Sequence, residues 1–141
     1  MEKKYRNIGR INIEKIGEYK EKVVTDEVIL THERLNNHIL RYHEKEYEQI
    51  GKFVTNIIEE PDYIIEDNAH IDTLIFLKNI EEINKKARVV VKLAVDENDK
   101  IYTKNSIITM MRLRDKSWDQ VLKNRGKILY ENTGQKQIKI V

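Results

Sequence analysis

Apolar positions keep one period between Leu30 and Pro61 and another after it. Leu35, His38, Ile39 and Tyr42 fall at i, i+3, i+4 and i+7, the spacing of one buried helix face. Just upstream, Thr31 can cap the free backbone donors of a helix start, and Leu30 and Leu35 have the spacing of a hydrophobic staple. A second stripe of Tyr47, Ile50, Val54, Ile57 and Ile58 follows and is ended by Pro61. The pattern therefore predicts helices over residues 32–43 and 46–60.

Beyond Pro61 the period falls to 2. Residues 62–66, 72–80, 87–96 and 105–113 read as four strands rich in Ile, Val, Leu and Phe. Their links (67–70, 81–86 and 97–100) are short and polar, which suits antiparallel neighbours, because a parallel crossover needs a dozen residues or more. A short N-terminal strand is expected where Ile11 and Ile13 alternate with polar residues. Ser117-Trp118-Asp119-Gln120 fits a capping box opening a helix over 118–124. The expected fold class is α+β, with N-terminal helices packed on one face of an antiparallel sheet of about four strands and a short C-terminal helix. One Pro, five Gly and no internal repeat leave no linker, so residues 1–141 are expected to form a single domain.

Composition narrows the chemistry. The chain has no cysteine, which excludes disulfides, thiolate catalysis and cysteine-ligated metal. No apolar run approaches the ~20 residues that cross a bilayer, and the opening residues have no secretory pattern, so a cytoplasmic protein with no membrane partner is expected. Net charge is only +2. Its distribution is uneven: residues 1–24 carry seven basic and four acidic side chains, 104–141 nine and three, and 25–103 ten and seventeen. The two basic ends could form one phosphate-attracting face, or simply a solvated surface.

A few polar residues stand in apolar surroundings. Lys92 interrupts Val89-Val90-Val91-Lys92-Leu93-Ala94-Val95, so its amine faces either open solvent or a cleft. Ser106 and Thr109 lie on the next strand, on opposite faces if that strand is regular. His38 and His43 are five apart, about 140° around a regular helix, poor spacing for a two-histidine metal site. Either could instead be a general acid or base, or a structural residue. His32 and His70 fall at predicted turns. No glycine-rich phosphate loop or nucleophile elbow is present.

Four pieces, in order, carry a family resemblance: His38-Ile39 followed by His43, then Ile57-Ile58-Glu59-Glu60-Pro61-Asp62-Tyr63-Ile64, then Val89-Val90-Val91-Lys92-Leu93, and last Asn105-Ser106-Ile107-Ile108-Thr109. With the lead-in Ile8-Gly9-Arg10-Ile11 they span nearly the whole chain. The arrangement resembles the phage-associated nucleases of the barnase–EndoU–colicin–RelE fold group. The chain departs from the pattern where the arginine preceding the second histidine is Tyr42 and the proline often following it is Glu44. Arg41, from another helix face, would then take over the arginine's substrate contact.

The resemblance implies a metal-independent ribonuclease of a prophage or integrative element, with no cofactor and with RNA as partner. It leaves room for an immunity or antitoxin protein. In such chemistry the RNA 2′-hydroxyl attacks its own phosphate. His38 and His43 are then candidates for acid and base, Lys92 for charge stabilisation, Ser106 or Thr109 for phosphate binding, and Arg41 and Tyr42 for substrate contact. The alternatives are a non-catalytic nucleic-acid- or protein-binding phage protein on the same fold, or a structural phage component.

Overall fold

A computed structural model describes residues 4–95, 104–124 and 126–132. Thr31 is the hinge of its N-terminal half. It ends a strand, and its hydroxyl accepts the Arg34 backbone N–H at 3.0 Å, which caps the helical run that follows. The strands before it are β1 (Tyr5–Arg10) and β2 (Glu27–Thr31). The helical run passes through α1 (His32–Arg34), a wide π turn (Leu35–Ile39) and α2 (Leu40–Ile50). A short 3₁₀ turn (Gly51–Phe53) then leads into α3 (Val54–Glu59). After Pro61 come β3 (Tyr63–Glu66), β4 (Thr73–Ile80), β5 (Lys85–Lys92) and β6 (Asn105–Leu113), then α4 (Asp115–Asn124) and β7 (Ile128–Glu131).

The seven strands form one sheet in the order β1-β2-β6-β5-β4-β3-β7. The consecutive pairs β3–β4, β4–β5 and β5–β6 are antiparallel, whereas β2 runs parallel to β6, with Val28 opposite Asn105 and Ile29 opposite Ser106. This corrects the expectation of N-terminal helices on a four-stranded antiparallel sheet: the fold is α+β, but the sheet is mixed and nearly twice as wide. The short-link argument bears only on consecutive strands. The β2–β6 connection includes the helical run and three strands, ample for a parallel crossover. The apolar triplet Val28-Ile29-Leu30 builds β2 and does not merely lead into a helix. Ile128-Leu129-Tyr130 is too short for alternation to show, yet it forms the edge strand β7 against β3.

Other boundaries shift for local reasons. The first strand lies at β1 and not at 11–13, because the Asn12 side chain accepts the Glu14 N–H and turns the chain. The last helix begins at Asp115, and Ser117 sits inside its first turn, since Trp118 N–H already bonds the Arg114 carbonyl at 2.9 Å. β5 ends at Lys92; Asp96 and the link 97–100 lie outside the described residues.

Both sheet faces are covered, which the expectation of helices on one face understated. Ala87, Val89, Val91 and Leu93 share a core with Ile39, Ile50, Val54 and Ile57. Alternation sends Val90 the other way, into a smaller core with Ile65, Ile75, Leu77 and Leu113 under Trp118 and Val121 of α4. Ile39, Ile50 and Ile57 are fully buried, so truncating any of them to Ala would cost about 2–5 kcal/mol. Among the described residues no helix is long and apolar enough to cross a membrane.

Candidate active site

The helical run is deformed where its histidines lie. A regular helix would set His38 and His43 about 140° apart. Here the π turn over 35–39 widens the spiral, and His43 leaves helical geometry altogether, with φ −136° and ψ 32°. The two distortions bring the rings together, with centroids 5.8 Å apart. Wide turns of this kind concentrate at functional sites, and so does backbone held in sparsely populated regions.

Each imidazole has a different setting. His43 Nδ1 lies 3.1 Å from Glu46 Oε1. With Nδ1 donating to that carboxylate, Nε2 is left for chemistry. The other Glu46 oxygen accepts the Arg112 backbone N–H of β6 at 2.7 Å, and Arg112 Nη1 donates to Gln49 at 3.1 Å. The helix is thus clamped beside β6, and His43 is held through that clamp. Desolvation lowers the pKa of His38 from its ordinary value, and the positive charge of Arg34 and the neighbouring His43 push in the same direction. His38 also lines an open cavity of about 370 Å³ with Thr31, Glu33, Arg34 and Asn37.

Tyr42, which stands where the family pattern has arginine, is 61% exposed and packs its ring against His38 at 5.6 Å. The Arg41 guanidinium lies 5.4 Å from the centre of the Tyr42 ring. The structure thus gathers His38, His43, Arg41 and Tyr42 on one stretch of helix, with an exposed aromatic face beside a basic group.

Lys92, Ser106 and Thr109 form a second group on the sheet. Lys92 and Ser106 stand directly opposite each other across β5 and β6. Both point away from the helix-side core that holds Val91, Leu93 and Ile107. The Lys92 amine donates to the Ile71 carbonyl at 2.7 Å, which the Thr73 hydroxyl also reaches, so it steadies the 67–72 loop and keeps two donors in reserve. A bulge in the β5–β6 register turns Thr109 to the same face. Asn105 is fully buried and structural: its Oδ1 accepts from Ala94 N–H, and its Nδ2 donates to the carbonyls of Thr25 and Glu27.

Two partners leave only a faint mark on the sequence. Glu46 could have been found as a carboxylate three residues after His43 on a helix. His70 pairs its Nδ1 with Asp67 at 3.1 Å, and Asp67 also accepts the Ala69 N–H, so an aspartate three before a histidine in a turn was the available signal. Among the described residues no cluster of three or more His, Asp or Glu could hold a metal ion.

A model of the family described as phage-Barnase-EndoU-ColicinE5/D-RelE like nuclease2 matches residues 4–131. No curated protein and no solved structure matches the chain.

Proposed function

Because the chain belongs to this family of phage nuclease-like proteins, we propose that it is a metal-independent endoribonuclease whose acid–base pair is His38 and His43. The observation that carries this reading is the pair itself, two imidazoles 5.8 Å apart on a helix distorted at that point. The cleavage needs a base to take the RNA 2′-hydroxyl proton and an acid to protonate the departing 5′-oxygen. As the O2′–P bond forms and the P–O5′ bond breaks, the product is a 2′,3′-cyclic phosphate. His38 is the base, since its surroundings favour the neutral ring at neutral pH. His43 acts as the imidazolium: with Nδ1–H held on Glu46, it gives its Nε2 proton to the leaving oxygen. Positioned acid–base groups of this kind contribute about 10²–10⁴-fold each.

Arg34 and Arg41 lie on the same helical run and supply positive charge for the anionic phosphorane. Tyr42 offers a stacking face for a base of single-stranded RNA. On the sheet, Lys92 with Ser106 and Thr109 contacts the strand further along. The enzyme acts in the cytoplasm, where an element carrying it also needs a protein that restrains it.

Product analysis tests the mechanism. Wild type should leave 2′,3′-cyclic phosphate ends, His38→Gln should cut at least ~100-fold more slowly, and a strand with a single 2′-deoxy at the scissile nucleotide should resist. Cleavage of that deoxy linkage, or of DNA, at the wild-type rate would overturn the reading.

A further inference from the structure

On the sheet face that carries Val90, a bulge has built a small cavity. The register places Val90 opposite Thr109 and Val91 opposite Ile107, leaving Ile108 as the extra residue and turning Ile108 and Thr109 to one side. Bulges recur where a strand must re-aim side chains next to a functional site. Together with Ile75, Val90, Arg88 and the His70–Asp67 pair they enclose about 170 Å³. That is well below the ~300–1,000 Å³ of sites for drug-sized molecules, so it takes one ring system.

We propose that this cavity seats a nucleobase of the bound RNA. Its lining by Ile75, Val90 and Ile108 offers the apolar contacts against which an extruded base packs. Its polar groups are few and convergent. The Thr109 hydroxyl is buried and has no hydrogen-bond partner among the described residues, a state native proteins rarely leave unexplained. A base edge would supply the missing partner. His70 is exposed, and with Nδ1 on Asp67 its other ring nitrogen is left for a second contact. Lys92 stands two residues beyond Val90 on the same face, ~7 Å along the strand. Lys92 and Ser106 therefore lie where the phosphate attached to a seated base would pass.

The inference rests on RNA as the ligand but not on cleavage, so equilibrium binding tests it separately. Backbone resonances are followed during titration with each of the four nucleoside 5′-monophosphates, and with a short 2′-O-methyl RNA that cannot be cut. At least one base type should shift the signals of Ile75, Val90, Ile108 and Thr109, and the oligonucleotide should bind at least ~10-fold tighter than its monophosphate because it adds phosphate contacts. Thr109→Val should weaken both by about 5-fold, the scale of one hydrogen bond, without lowering the melting temperature. Ile108→Trp, which fills the cavity, should abolish the shifts. The proposal is overturned by shifts confined to other residues, by unaltered binding in both variants, or by a monophosphate that binds as tightly as the oligonucleotide. A wild type that seats the base yet never cuts RNA would sink the ribonuclease reading and leave the base site standing.

Discussion

The Glu46 carboxylate lies 3.1 Å from His43 Nδ1 while its second oxygen holds the Arg112 N–H of β6 at 2.7 Å. One side chain therefore fixes both a ring orientation and the seat of the helix that carries it. In Glu46→Gln the amide oxygen can satisfy only one of those partners. We expect kcat to fall at least ~10-fold with KM little changed and the pH profile displaced, since the loss is of a positioned acid and not of substrate binding. Loss of one hydrogen bond should cost about 1–3 kcal/mol of stability. An unaltered pH profile with unaltered kcat would reduce Glu46 to a strut.

His38 ties stability to pH with a definite sign. Its pKa in the fold lies below the ordinary 6.5, chiefly through desolvation. As pH falls through 6.5 the unfolded chain takes up the proton before the folded one does, so stability declines toward the folded-state pKa. Above 6.5 both states are neutral at this residue and the contribution is flat. Denaturation curves between pH 7.5 and pH 5 should therefore show a shallower decline for His38→Gln than for wild type. Parallel curves would remove His38 from the account.

Neither histidine needs a metal for proton transfer. RNA cleavage should keep its rate in excess EDTA. A complete loss that a divalent ion restores would replace the acid–base mechanism while leaving the fold untouched.

Lys92 has a structural duty as well as a charge. Its amine and the Thr73 hydroxyl share the Ile71 carbonyl, and Leu93 N–H bonds the Asp72 carbonyl in the same loop. Lys92→Ala should loosen residues 67–72, visible as faster amide exchange, at a cost of about 0.5–1.5 kcal/mol. RNA affinity should drop and become less salt-dependent, as loss of one phosphate contact requires. Unchanged salt dependence would leave only the loop-holding duty.

The sequence made some of this legible. Thr31 as a helix cap and the interior of the β3-to-β6 meander follow from local signals, namely a capping hydroxyl and a period of 2. The β2–β6 pairing did not, because a parallel contact between Val28 and Asn105 leaves no mark on the residues between them. Nor did the meeting of the two imidazoles, since helical-wheel reasoning assumes a regular helix and this one widens and kinks. The orphaned Thr109 hydroxyl depends on a one-residue bulge that alternation alone places elsewhere.

The clamp between Glu46 and Arg112 spans 66 residues of chain. A polypeptide grows from its N-terminus, so both histidines are synthesised long before the strand that fixes one of them in place. Any fragment ending before β6 carries both imidazoles but not the strand that anchors Glu46 beside His43. On the proposed ribonuclease reading, competence would arrive only once β6 has been made.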